Sequence, residues 1–165
     1  MTEDLKRLAQ DAITTSAAAD DPDYPCFHVV PPVGRLNDPN GLLVDGDTYH
    51  AFYQFSPFHP HRKLVYWGHS SSTDLLHWRH HEPAIIPDSS YDRSGAYSGN
   101  AIVLEGTELD GAATQVPYHL FYTGNLKDPV TDERTASQCL VTSGDLTDFI
   151  KWPGNPLIPT HAEGY

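Results

Sequence analysis

The sequence predicts an all-β protein of the propeller type, and three observations predict it. Beyond Pro25, short runs rich in Val, Ile, Tyr, Phe and Thr alternate with Gly, Pro, Asn and Asp, a strand-and-turn grammar. A strand–turn–strand unit occurs twice, ending in "YHAFYQF" and "YHLFYTG", and the segments after each copy match in the same order. The tyrosines at 49 and 118, the tryptophans at 78 and 152 and the prolines at 83 and 156 are offset by about 70 residues, room for four strands. Four-stranded sheets repeated around an axis are propeller blades. A tandem sandwich is the competing architecture.

The elements follow in chain order. Leu5, Leu8, Ala12 and Ile13 fall at near-helical spacing and predict a short amphipathic helix over 3–13, with Thr2 as its cap. From Ala17 to Pro25 the composition is that of a linker, so residues 1–25 are read as helix plus linker and 26–165 as propeller. Leu42-Leu43-Val44 and Thr48 to Gln54 form a hairpin across Asp45-Gly46, a pair suited to a type I′ turn. Ala101 to Leu104 and Tyr118 to Thr123 repeat it with a longer loop. A ring needs at least about four blades, so two repeats ending in "HAEGY" read as two blades and the start of a third, the N-terminal portion of a longer protein.

Ten Lys+Arg against 22 Asp+Glu give a net charge of −12, which repels nucleic acid and anionic membrane surfaces and favours a neutral or cationic small substrate. Cys26 and Cys139 lack metal-type spacing and are expected as free, buried thiols. No N-terminal run is apolar enough for a signal or a span, so the cytoplasm is the expected compartment. His59 with His61, and His80 with His81, lack a third ligand at useful spacing, and neither metal nor other cofactor is expected.

The chemistry concentrates in "NDPNG", residues 37–41. Pro39 fixes φ and Gly41 ends what reads as a tight turn, so that Asp38 points out of the sheet, with Asn37 and Asn40 supplying amides to hold it. The same letters also serve as ordinary turn chemistry. If the strand that follows is the innermost of its blade, Asp38 lies by the central channel, and "GAYSGNA", residues 95–101, brings Tyr97, Ser98 and Asn100 there from the second blade. Aromatic faces with amides and hydroxyls suit a sugar.

The stretches "GRLNDPNG", "FYQFSP", "YWGHSSSTDLLHW" and "AYSGNA", in this order, resemble glycoside hydrolase family 32, the invertase and fructan-hydrolase group. The resemblance covers about residues 27 to 159. It implies a five-bladed β-propeller and the retaining hydrolysis of terminal β-fructofuranosides: sucrose, sucrose 6-phosphate or short fructo-oligosaccharides. Asp38 matches the nucleophile. Asn37 and Gln54 match groups that hold the fructosyl unit, Trp67, Tyr97 and Ser98 match pocket-wall positions, and Arg35 and Leu36 fall at the substrate-binding edge.

The chain departs from that pattern in three places. The family's acid/base glutamate precedes a cysteine, and here no Glu-Cys occurs; Glu82, Glu105, Glu108 and Glu133 sit in other contexts. The family's Arg-Asp-Pro is absent too, and "KDP" at 127–129 comes too early, in a loop, so Asp128 is rejected. Both motifs are expected beyond Tyr165, and this chain alone is expected to be inactive. Arg35 stands where the family commonly has an aromatic residue and could bind a hydroxyl or a phosphate on the leaving sugar; "HPHRK", residues 59–63, could likewise receive a phosphate, although a solvated loop is the favoured reading of that run. The competing reading is a non-catalytic carbohydrate-binding propeller, and open blade edges also predict self-association.

Overall fold

The computed structural model describes residues 4–104 and 116–160, with the backbone of 108–109 and 112–113 between them. The chain opens with α1 (Leu5–Thr14), capped by Asp4, whose side chain accepts from the Arg7 N–H at 3.0 Å. Thr2, the expected cap, lies outside the described residues. Leu5 and Ala9 turn the apolar stripe of α1 onto Tyr53, Phe55, Leu64 and Tyr66. A single 3₁₀ turn, Ala18–Asp20, interrupts the linker.

The first blade comprises β1 (Arg35–Asp45), β2 (Thr48–Ser56), β3 (Tyr66–Ser72) and β4 (Arg79–His80), hydrogen-bonded antiparallel in that order. "NDPNG" is therefore not a turn but the interior of β1. The ladder to β2 slips between Leu36 and Pro39 and again between Asn40 and Leu43, each time by one extra residue on β1. Two bulges absorb what the sequence presented as a turn, and an edge strand tolerates the missing N–H of Pro39. The hairpin also closes one residue later than predicted. Asp45 pairs with Thr48, and in the Gly46-Asp47 loop only Gly46 has positive φ (54°), the type II′ pattern rather than I′.

The second blade repeats the first: β5 (Ala96–Val103), a short ribbon of β6 (Glu108–Leu109) and β7 (Ala112–Ala113), then β8 (Tyr118–Lys127), β9 (Arg134–Ser143) and β10 (Phe149–Lys151). The four main strands are ordered β5-β8-β9-β10, so β1 and β5 occupy matching edges. The repeat extends to backbone detail. Ser72 and Asp74 cap the turn after β3 as Ser143 and Asp145 cap the turn after β9, and Leu75 and Leu146 adopt left-handed φ of 63° and 57° at the same point. Ile85 then bridges back to Trp67, as Ile158 does to Gln138. The expected start of a third blade, "HAEGY", lies outside the described residues.

One core joins the blades: Phe52, Trp67 and Ile85 from the first meet Leu120, Tyr122 and Val141 from the second. Behind it, Asp92 is fully buried. Its carboxylate accepts from Tyr122 Oη (2.7 Å), the Ser89 N–H (2.8 Å) and Lys151 Nζ (2.6 Å). Burial, and then the Asp92 charge, push the Tyr122 phenol well above its ordinary range, which keeps it a donor. Cys139 is buried as expected, but Cys26 is exposed; both are free thiols. Among the described residues no helix is long and apolar enough to cross a membrane.

On β3 of the first blade, His69 is 1% exposed and stacks on Phe52 and His81, with Nε2 2.9 Å from His50 Nδ1. Burial, followed by the neighbouring His81 and His50, depresses its pKa to about 2. His50, His80 and His81 are lowered as well, burial being the first cause in each; Asp45 opposes the shift at His50 and Arg79 adds to it at His81.

Two predictions follow from burial. Lys151→Met leaves the Asp92 carboxylate buried beside a methyl group and is expected to cost about 3–5 kcal/mol in chemical denaturation. His69 stays neutral in the fold, while in the unfolded chain its imidazole protonates below about pH 6.5. Its contribution is thus complete above that pH and is lost as pH falls, by up to about 1.4 kcal/mol per pH unit. Unfolding midpoints measured from pH 7 to 5 should fall, and fall less steeply in His69→Gln.

Candidate active site

Strand edges and their bulges build the site. In β5 the ladder to β8 slips between Tyr97 and Gly99, leaving Ser98 without a cross-strand partner, much as the first bulge of β1 sets Asn37 and Asp38 against Gln54 alone. A bulge re-aims the extra residue, and here two bulges on neighbouring edge strands aim Asp38 and Ser98 at one another. Ser98 Oγ donates to Asp38 Oδ2 at 3.0 Å, and Asn37 Nδ2 donates to Asp38 Oδ1 at 2.9 Å. Gln54 completes a closed ring: its Nε2 donates to Ser98 Oγ at 2.6 Å, and its Oε1 accepts from Asn37 Nδ2 at 3.4 Å.

These bonds fix orientations. Asn37 presents its amide nitrogen to Asp38 because Arg35 donates to its oxygen at 2.8 Å. Asn40 is buried and does not reach the Asp38 carboxylate. It donates to the Asp38 backbone carbonyl (3.0 Å) and accepts from the Gly99 N–H (3.3 Å), pinning β1 to β5. The Asp38 side chain itself lies exposed, each oxygen held by one neutral donor and otherwise open to an incoming group.

Beside this ring lies a cavity of about 340 Å³, within the range of small-molecule sites, lined in part by Arg35, Asn37, Gln54 and Tyr97. Two predicted residues are placed elsewhere. Leu36 alternates to the opposite face of β1 and packs against the core beneath α1, so it does not line this cavity. Trp67 is fully buried and forms no part of the wall; its indole N–H donates to the Tyr97 carbonyl at 3.0 Å and supports the residue that does. Asp128 is spent on its own loop, accepting from the Val130 and Thr131 N–H groups, which lower its pKa.

The sequence reading missed Lys127 and Arg134, which line the same cavity together with Lys63 and His59 of the "HPHRK" run. Lys127 and Arg134 are direct partners across β8 and β9, an arrangement of like charges that is unfavourable unless something else requires it. Arg134 also donates to Tyr97 Oη at 3.2 Å.

Gly99 permits the bulge in β5, since a Cβ there would stand 1.9 Å from the Phe121 carbonyl oxygen. Gly99→Ala is expected to cost about 1–3 kcal/mol and to break the Ser98–Asp38 hydrogen bond, as denaturation and a crystal structure of the variant would show.

Residues 28–165 match the family model of the glycosyl hydrolases family 32 N-terminal domain. A sucrose-6-phosphate hydrolase of Klebsiella pneumoniae is 46% identical over 145 residues, 88% of this chain and 28% of that protein. A raffinose invertase of Escherichia coli is 41% identical over 148 residues, covering 87% and 29%. Among solved structures, a Bombyx mori β-fructofuranosidase superimposes with a TM-score of 0.76 at 32% identity, over 96% of this chain and 31% of that one; a mutant of the same enzyme is known in complex with sucrose. A Lactobacillus gasseri sucrose-6-phosphate hydrolase gives 0.73 at 33%, over 94% and 29%. The chain thus spans under a third of the length of these relatives. Its ordered motifs, its two blades and the match over 28–165 together establish that the chain belongs to glycosyl hydrolase family 32, within the N-terminal domain.

Proposed function

We propose that the protein carrying this chain hydrolyses terminal β-fructofuranosides, sucrose or sucrose 6-phosphate, with retention of configuration, and that Asp38 is the nucleophile. The observation that carries this reading is the Asp38 carboxylate, exposed on the edge strand β1 of the first blade and held on each oxygen by one neutral donor. Such a group is oriented without being neutralised, as nucleophilic attack requires.

In this scheme Asp38 Oδ attacks the anomeric carbon while the bond to the leaving sugar breaks, and a second carboxyl about 5–5.5 Å away gives that oxygen its proton. Water, deprotonated by the same second group, then cleaves the fructosyl ester and regenerates the Asp38 carboxylate. Asn37, Gln54 and Ser98 exchange their mutual hydrogen bonds for bonds to the fructosyl hydroxyls, and Tyr97 offers a ring face. The second carboxyl belongs, in this reading, to a part of the protein outside residues 1–165, and these residues alone should release no fructose. The relatives' names, sucrose-6-phosphate hydrolase and invertase, support the substrate class.

The test is fructose release from sucrose and from sucrose 6-phosphate by the full-length protein and its Asp38→Ala variant. The variant should lose at least about 10³-fold in kcat while remaining folded. A full-length wild type that binds sugar but releases no fructose would instead support the carbohydrate-binding alternative.

A further inference from the structure

Four of the ten Lys+Arg residues of a chain with net charge −12 line one cavity beside Asp38: Arg35, Lys63, Lys127 and Arg134. They come from separate elements: β1, the loop before β3, and facing ends of β8 and β9. Among the described residues, Arg35, Lys63 and Arg134 have no carboxylate partner. Arg35 donates to Asn37 and Arg134 to the Tyr97 hydroxyl; only Lys127 is paired, with the exposed Asp132. No Asp or Glu is among the cavity's lining residues.

Gathered like charges raise the energy of the free protein, so the arrangement calls for an anion. Asp38 does not fill that role, because its two oxygens are held by the neutral Asn37 and Ser98. A neutral sugar hydroxyl needs no such field either. A phosphate monoester fits: it brings close to two negative charges and three acceptor oxygens, enough for several cations approaching from different sides.

Resting on the β-fructofuranosidase reading above, we infer that Lys63 and Arg134, with Lys127 beside them, bind a phosphate carried on the leaving sugar and so set the preference for a phosphorylated over an unphosphorylated substrate. The two principal side chains are exposed, so replacing them leaves the core intact.

The experiment measures kcat/KM for sucrose 6-phosphate and for sucrose in the full-length protein, in Lys63→Met, in Arg134→Gln and in the conservative Lys63→Arg, with inorganic phosphate as a separate inhibitor. The expected result is a preference ratio that falls at least tenfold in each of the first two variants, mostly through KM for the phosphorylated sugar, and is restored in Lys63→Arg. A ratio that moves less than twofold, or equal losses on both substrates, overturns the assignment. So does a wild type without preference that is inhibited by inorganic phosphate in a Lys63-dependent way, since that assigns the cations to the free anion. A wild type that cleaves neither sugar defeats the hydrolase reading itself, a failure distinct from these.

Discussion

Neither four-stranded sheet can bury an apolar face by itself, and the packing of the first blade against the second is the constraint on which everything else in the structure rests. Phe52, Trp67 and Ile85 are buried in one cluster with Leu120, Tyr122 and Val141 of the second blade. That contact sets β1 beside β5, and the site is made from the edges of these two strands. The polar network of Asp92, Tyr122 and Lys151 runs behind the same core and ties the start of the second blade to its last strand. Stability and function therefore share one interface: what holds the blades in register also sets the separation of Asp38 and Ser98.

The remaining sheet faces are incomplete in these residues. Leu42, Val44 and Leu75 are exposed on the first blade, and Ile102, Ile150 and Ile158 on the second. Scattered exposed apolar residues are ordinary on a protein surface, but faces of this kind at both ends of a two-blade stack fit a chain spanning under a third of its relatives.

Much of this was legible in the sequence because the repeat is written in residues with strong local preferences. The two hairpins and the blade repeat followed from alternation and from turn residues. What was not legible has physical causes. "NDPNG" has the composition of a turn, and nothing local distinguishes a turn from a doubly bulged edge strand; only pairing with β2 decides. Trp67 shares a motif with residues that line the cavity, yet burial by the next blade puts it behind the wall. Leu36 stands between two site residues and points away because strands alternate. Lys127 and Arg134 are close only through the β8–β9 register, which composition does not reveal.

The bulges also make the length of β1 as important as its letters. Asp38 faces Ser98 because one residue more lies on β1 than on β2 between Leu36 and Pro39. Deleting a single residue there would restore a regular ladder and send the neighbouring side chains to the other face of the sheet, with the composition scarcely changed. For this strand a one-residue deletion is a more drastic event than most substitutions, and sequence comparison across the family should treat a gap within 36–39 as a loss of the site even where an aspartate still aligns.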